Sequence, residues 1–161
     1  MFTATCAAQP AVSSTNEDSS LFTIGVMKAI EHIQNFISNV TRWASTQPDI
    51  KAIALVGSYA RDAATEDSDI DLVMLVDHPD RYLEDIEWLG QFGSVERQQV
   101  EYYGRVTSLR VWYAGGREVE YGITTRHWAA VPLDEGTQQV INDGMKVLFE
   151  REALLGVHLG D

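Results

Sequence analysis

The sequence predicts an α/β (α+β) fold, in which helices flank a mixed β-sheet within one domain. Three observations support this prediction. An apolar 3.6-residue period early in the chain indicates a helix, two short apolar runs follow it, and three segments rich in β-branched and aromatic residues come later. Strands that alternate with helices and then continue as a β-meander are typical of a mixed sheet.

The length and composition indicate an ordinary globular protein. With 161 residues the chain is most simply one domain; we expect residues 1–20 to be a frayed or disordered tail and residues 21–161 to form the domain. No apolar run approaches about 18 residues, so no transmembrane helix is expected. The N-terminus lacks the basic and apolar regions of a secretory signal, and a cytoplasmic location is therefore predicted.

The charge balance restricts the class of partner. Acidic residues outnumber basic ones 24 to 12, and the formal net charge is −12. Such a field repels a phosphate backbone, which argues against long nucleic acid as a substrate, and attracts a small cationic molecule or a basic protein surface. The four histidines and one cysteine have no zinc-ligand spacing, whereas carboxylate oxygens suit magnesium or manganese.

The first predicted elements are a helix, two strands and a short helix between the strands. The first helix is indicated by apolar residues at helical spacing: Val26, Ala29, Ile30, Ile33, Phe36, Ile37, Val40, Trp43 and Ala44. It should end near Pro48, because proline disrupts a helix interior. Residues 51–57 and 70–76 are predicted as buried strands, and residues 58–64 as a brief helix.

A second amphipathic helix is predicted over residues 80–92. Its apolar face consists of Tyr82, Leu83, Ile86, Leu89 and Phe92. Pro79 suits the first turn of this helix, and Gly90 or Gly93 suits its end.

The remainder of the chain is predicted to be mainly β-structure. Strands are expected over residues 98–103, 106–113 and 118–124, with Gly115-Gly116 as the turn between the last two. Asp134 can cap a helix that Gly144 ends, and residues 145–149 can form a last short strand.

Two aspartates interrupt the second apolar run in the segment ALVGSYARDAATEDSDIDLVMLVD, residues 54–77. Because side chains alternate along a strand, Asp69 and Asp71 share one face with Val73 and lie roughly 6–7 Å apart along the strand. Like charges this close disfavour joint ionisation, and a sheet surface by itself is expected to supply nothing positive. A divalent cation between them would stabilise both.

Gly57 and Ser58 lie where the first strand ends and the brief helix is expected to begin. Unpaired backbone N–H groups at a helix start favour an anion, and glycine lets the backbone approach a phosphate. The simpler alternative makes Ser58 only an N-cap. Phosphates and carboxylates repel each other, so an anion site beside paired aspartates requires bridging cations.

The segment GSYARDAATEDSDIDLVML resembles the GSxxR…SDxDL signature of the DNA polymerase β-like nucleotidyltransferase superfamily, particularly its small minimal members. The resemblance implies an enzyme that uses a nucleoside triphosphate, with ATP as the expected nucleotide and Mg²⁺ or Mn²⁺ as the cofactor. It assigns triphosphate binding to Gly57 and Ser58. It assigns two divalent metals to Asp69 and Asp71, with a third carboxylate from a neighbouring strand.

Glu120 is the preferred third carboxylate. The segment EVEYGI resembles the family's apolar-acid-apolar strand, with Val119 and Tyr121 facing the core. Glu118 points to the same face by alternation and stays an alternative, and Glu101 fits less well. Without the upstream motif, Glu120 would be read as an exposed acid on an edge strand.

Two further polar residues each have two readings. Arg61 lies one helical turn after Ser58, so its guanidinium can reach the phosphates or hold a carboxylate in place; the alternative is a surface ion pair with Asp62 or Glu66. Ser68 can orient the adjacent metal ligand or serve as a turn residue.

The implied reaction transfers a nucleotide, expected to be AMP, to a hydroxyl of a small molecule or a protein side chain and releases pyrophosphate. Relatives of this kind include enzymes that adenylylate aminoglycosides and antitoxins that adenylylate a partner toxin. Only about forty residues follow Gly122, too few for a complete drug-binding half, which leaves open a homodimer or a helical protein partner. An antitoxin-like module that neutralises a partner by contact is the alternative from another functional class.

Overall fold

The structure is a computed structural model that describes residues 23–159 except 26, 29 and 66. The chain consists of two units, Met1–Phe36 and Ile37–Asp161. In the first unit, residues 23–25, 27–28 and 30–36 are helical. The tail predicted over residues 1–20, and two positions of the predicted helix face, Val26 and Ala29, lie outside the described residues.

The second unit contains a six-stranded mixed sheet, which confirms the predicted fold class. Its elements are α1 (residues 37–45), β1 (Ile50–Val56), β2 (Ile70–Val76), α2 (Pro79–Glu84), β3 (Val95–Tyr103), β4 (Val106–Tyr113), β5 (Glu118–Thr124), α3 (Glu135–Asp143) and β6 (Met145–Glu150). The strand order is β3-β4-β5-β2-β1-β6. The β2–β5 pair is parallel, and the other four neighbouring pairs are antiparallel.

Apolar side chains cover both faces of the central strands. On one face Tyr121 of β5 contacts an aromatic group that also contains Trp43, Tyr82, Trp88 and Phe92. On the other face Val73 and Leu75 belong to a second core cluster that includes residues of β1, α3 and β6. Strand β2 therefore consists of apolar residues on both of its faces, with Asp71 as the exception near its start.

The helix predicted over residues 80–92 is two shorter elements, α2 and a 3₁₀ helix over Glu87–Phe92. Asp85 lies between them in an extended conformation, and its Oδ1 accepts a hydrogen bond of 3.1 Å from the backbone N–H of Glu87. A side chain that bonds the backbone in this way competes with the helical pattern. Pro79 at the start and Gly93 at the end are placed as predicted.

The brief helix predicted over residues 58–64 is wrong, because the segment forms a single turn. The backbone N–H groups of Ala60 and Arg61 both donate to the carbonyl oxygen of Gly57, and Ala63 donates to Ser58. Asp62 has a positive φ of 58°, the left-handed conformation that ends helices. Backbone N–H groups still follow Gly57 in this turn. Because they do not begin a helix, no helix dipole adds to their attraction for an anion.

The later elements agree closely with their predicted positions. Strands β4 and β5 have the predicted bounds, while β3 begins at Val95 instead of residue 98. Asp134 caps α3 by accepting a hydrogen bond from the backbone of Thr137, and Gly144 follows the last helical residue. Among the described residues, no helix combines the length and the apolar character needed to cross a bilayer.

Candidate functional site

Three carboxylates meet at the start of the parallel strand pair. Asp71 in β2 lies directly beside Glu120 in β5, and Asp69 precedes β2 by one residue. One carboxylate oxygen from each of the three residues lies within 4.8 Å of the other two. The pairing of β2 with β5 thus brings together Asp69, Asp71 and Glu120, the three acids predicted from the sequence.

Arg110 of β4 lies among these acids, although no positive charge is expected there from the sequence. Its guanidinium contacts Glu118 (Nη1, 2.6 Å), Glu101 (Nε, 3.0 Å), Asp69 (Nη1, 3.3 Å) and Glu120 (Nη2, 3.3 Å). Partial burial lowers the pKa of Arg110, but hydrogen bonds to Glu118 and Glu101 and the charge of Glu120 outweigh it, so this pKa lies above its usual value. The expectation that the sheet surface supplies no cation is therefore corrected.

A signal for Arg110 is present in the sequence. In VTSLRVWY an arginine interrupts a strand of apolar and small polar residues, on the face that alternation also gives to Ser108 and Trp112. Its partners can be identified only from the register between β4 and β5, in which Arg110 lies opposite Glu120. Glu118 and Glu101, the two alternatives for the third carboxylate, are the closest partners of this arginine.

Asp71 is the carboxylate of the trio that Arg110 does not reach. Its Oδ1 is buried and has no hydrogen-bond partner among the described residues. Burial, followed by the negative charges of Asp69 and Glu120, raises the pKa of Asp71 to about 8. A buried carboxylate oxygen without a partner is a suitable ligand for a cation, because a cation would stabilise the ionised form.

The raised pKa of Asp71 predicts how the stability of the metal-free protein depends on pH. In the folded state Asp71 keeps its proton up to about 8, whereas in the unfolded state it loses the proton near 3.8. The folded state therefore binds more protons between these values, and the free energy of unfolding contributed by Asp71 is present below pH 4 and lost as the pH rises through 8. Chemical unfolding in EDTA at several pH values measures this slope.

The matched variant for this measurement is Asp71→Asn, which cannot titrate. Its unfolding free energy should fall less steeply between pH 4 and pH 8 than that of the wild type. Identical slopes in the two proteins would contradict the raised pKa.

Gly57 allows the turn to pass close to Asp71. Its φ is +74°, and a Cβ added at this position would lie against Oδ2 of Asp71. Ser58 follows, half-buried, in the same turn. Ser68 accepts a hydrogen bond of 2.8 Å from the backbone N–H of Thr65. Of the two roles considered for Ser68, this contact agrees with that of a turn residue.

Arg61 is exposed and lines the same cavity as Gly57 and Asp71. Of the two acids considered as its surface partners, Asp62 pairs instead with Lys146 at 2.8 Å, and Glu66 lies outside the described residues. Within the described part of the chain Arg61 forms no ion pair, so its guanidinium is available to a ligand in the cavity.

The cavity beside the carboxylates has a volume of about 470 Å³, the size of a small-molecule site. Asp71 and Glu120 are among the polar residues that line it, and Val106, Val140 and Trp128 are among the apolar ones. A ligand with a charged group and an apolar or planar body fits this distribution of side chains.

Comparison with known proteins identifies related sequences. Residues 39–112 match the family described as "Nucleotidyltransferase domain". Over 68 residues the chain is 37% identical to the Methanocaldococcus jannaschii protein named "Putative protein adenylyltransferase MJ1379", a match that covers 39% of this chain and 68% of that protein.

The fold is shared with a solved structure of low sequence identity. An aminoglycoside 6-adenyltransferase from Bacillus subtilis superposes with a TM-score of 0.54 at 16% identity. The superposition covers 74% of this chain and 41% of that enzyme, so the chain spans less than half of its length. The matched family and the M. jannaschii relative agree with the resemblance of the Gly57–Asp71 segment to the DNA polymerase β-like superfamily, and the chain belongs to the nucleotidyltransferase family.

Proposed function

We propose that the protein is a divalent-metal-dependent adenylyltransferase that transfers AMP from ATP to a hydroxyl of a small molecule or a protein side chain. The observation that carries this proposal is the cluster of Asp69, Asp71 and Glu120, with one oxygen from each within 4.8 Å of the others, beside the Gly57 turn. The choice of the adenylyl group is supported by the names of the M. jannaschii relative and of the B. subtilis enzyme.

The residues present fit a hard divalent cation. Asp69, Asp71 and Glu120 offer only carboxylate oxygens, the donors that Mg²⁺ and Mn²⁺ prefer, and the buried Oδ1 of Asp71 has no partner among the described residues. Glu120 is the third ligand in this proposal because it lies beside Asp71, whereas Glu118 is held by Arg110 and by Trp112 Nε1 at 2.9 Å. When bound, the metal neutralises the triphosphate and acidifies the attacking hydroxyl.

The protein's own groups position the two substrates for an in-line transfer. The backbone of Gly57 and the hydroxyl of Ser58 bind phosphate oxygens, and Arg61 neutralises the triphosphate from the wall of the cavity. The acceptor oxygen attacks the α-phosphorus, a new O–P bond forms, and the bond to the β-phosphate oxygen breaks to release pyrophosphate. Glu120 accepts the hydroxyl proton as general base.

The acceptor is expected to carry positive charge. The chain has a formal net charge of −12, and four acids contact a single arginine, Arg110, at the site. Such a surface concentrates cationic molecules and basic protein segments near the carboxylates. An amino-substituted polyol and a basic protein are the two acceptor classes to supply first.

The proposal is tested with purified protein, Mg²⁺ and each of the four nucleoside triphosphates in the presence of these acceptors. We expect pyrophosphate release with ATP exceeding that with the other nucleotides, a product mass increased by one AMP, and no product in EDTA. The absence of nucleotide binding and of pyrophosphate release from folded protein with every nucleotide would refute the proposal.

A further inference from the structure

The contacts of Arg110 divide into two groups. The two shorter ones, 2.6 Å and 3.0 Å, are to Glu118 and Glu101, which lie outside the proposed metal ligands. The two longer ones, both 3.3 Å, are to Asp69 and Glu120, which are proposed metal ligands. The guanidinium is therefore anchored by one pair of acids while it neutralises another.

The neighbouring strands hold the side chain of Arg110 in one orientation. It projects from the middle of β4, between β3 with Glu101 and β5 with Glu118 and Glu120, and its side chain is only 22% exposed. A guanidinium presents five donors in a rigid planar fork, which lets one side chain serve several carboxylates. No lysine could reach the same four partners with a fixed orientation.

A fixed positive charge at this position opposes metal binding. A divalent cation between Asp69, Asp71 and Glu120 would lie within a few ångströms of the guanidinium, and like charges at such distances in a half-buried site repel appreciably. The same charge stabilises the metal-free protein, because without it the negative charges of Asp69 and Glu120 would repel each other unopposed.

We propose that Arg110 is a tethered counter-cation, which neutralises Asp69 and Glu120 in the metal-free protein and thereby lowers the affinity of the site for divalent cations. This inference rests on the proposed function, because it takes Asp69, Asp71 and Glu120 as the metal ligands. Arg110 is a positioning residue here: it keeps the carboxylates assembled without metal, and Glu101 and Glu118 retain it when a cation arrives.

The test is a calorimetric titration of metal-free protein with Mn²⁺ in the absence of nucleotide. Arg110→Gln should bind Mn²⁺ about tenfold more tightly than the wild type, because a repelling charge has been removed. In EDTA the same variant should unfold at a lower temperature than the wild type. A merely structural role for Arg110 would lower the unfolding temperature without tightening Mn²⁺ binding.

The matched control is Arg97→Gln. Arg97 lies on the neighbouring strand β3, with its guanidinium 3.8 Å from the centre of the Trp112 ring, so the substitution removes the same charge outside the acidic cluster. Its Mn²⁺ affinity should stay within about twofold of the wild type, since an exposed charge at a distance is screened. Arg110→Lys keeps the charge with fewer hydrogen bonds and should bind Mn²⁺ with an affinity between those of the wild type and Arg110→Gln.

The outcomes separate the two proposals. Unchanged or weaker Mn²⁺ binding by folded Arg110→Gln, or an equal gain in Arg97→Gln, would overturn the counter-cation role and leave the metal site intact. If Arg110→Gln does not fold, Arg110→Lys decides the matter: affinity no tighter than that of the wild type overturns the role. Absence of Mn²⁺ binding by both the wild type and Arg110→Gln would overturn the proposed metal dependence itself.

Discussion

Asp71→Asn is expected to remove nucleotidyl transfer while making the metal-free protein more stable. Oδ1 of Asp71 is buried without a partner among the described residues, and the raised pKa of about 8 reflects the cost of holding a charge there. At pH 7.5 the wild-type carboxyl must mostly take up a proton on folding, whereas an amide of the same shape needs neither a charge nor a proton, so folding no longer bears that cost. The amide is also a poor ligand for a hard cation, so the metal-binding role proposed for the Asp71 carboxylate is lost, and nucleotidyl transfer with it.

Both effects can be measured on one preparation. We expect the rate of pyrophosphate release with ATP and Mg²⁺ to fall by at least about a hundredfold, which even the loss of an outer group of a metal site can produce. In EDTA at pH 7.5 the unfolding temperature should rise by about 2–4 °C, the shift that 1 kcal/mol causes in a domain of this size.

Asp67→Asn is the control for this pair of measurements. Asp67 is an exposed acid in the segment that precedes β2, so its replacement removes one negative charge without altering Asp69, Asp71 or Glu120. It should leave both the transfer rate and the unfolding temperature nearly unchanged. If Asp71→Asn kept its activity, Asp71 would have no part in catalysis; if it destabilised the metal-free protein, the burial cost assigned to Asp71 would be wrong.

Gly57→Ala should lower the rate of nucleotidyl transfer because it disturbs the placement of Asp71, although the substitution removes no functional side chain. The φ of +74° is unfavourable for any residue with a Cβ, and that Cβ would overlap Oδ2 of Asp71. The turn or the side chain of Asp71 must then shift, which disturbs the arrangement of Asp71 with Asp69 and Glu120. We expect a transfer rate reduced by about a hundredfold, the typical effect of a 1 Å displacement in an active site.

Gly104→Ala separates the overlap from the backbone strain. Gly104 lies between β3 and β4 with a similar φ of +62°, but an added Cβ would meet no atom within 4 Å. Both substitutions should therefore cost about 1 kcal/mol for the left-handed backbone, and Gly57→Ala should cost about 1–3 kcal/mol more for the overlap. Chemical unfolding gives the stabilities, and equal activities in the two variants would refute the role assigned to the Gly57–Asp71 contact.

Two of the differences between prediction and structure have local causes. The helix expected over residues 80–92 divides because the side chain of Asp85 bonds the backbone of Glu87, although the apolar spacing itself continues. The helix expected after Gly57 ends within one turn because Asp62 is left-handed. Periodicity reports which residues share a face, and it does not report local hydrogen bonds that interrupt a helix.

The sequence by itself determined the strands and the faces of their side chains. Alternation with a period of two places Asp71 and Glu120 on polar positions of otherwise apolar strands. The segment from Gly57 to Asp71 also carries the residues that resemble the superfamily signature. These properties are local, because they depend only on neighbouring residues and on strand geometry.

Only the tertiary structure decided which strands are neighbours. The parallel register places Asp71 beside Glu120, and the antiparallel register of β4 places Arg110 opposite Glu120 and in contact with Asp69. Strand order and register arise from packing between residues far apart in the chain, and a shift of one residue would turn every side chain to the opposite face. For this reason the acids could be chosen from the sequence, whereas the cation among them could not.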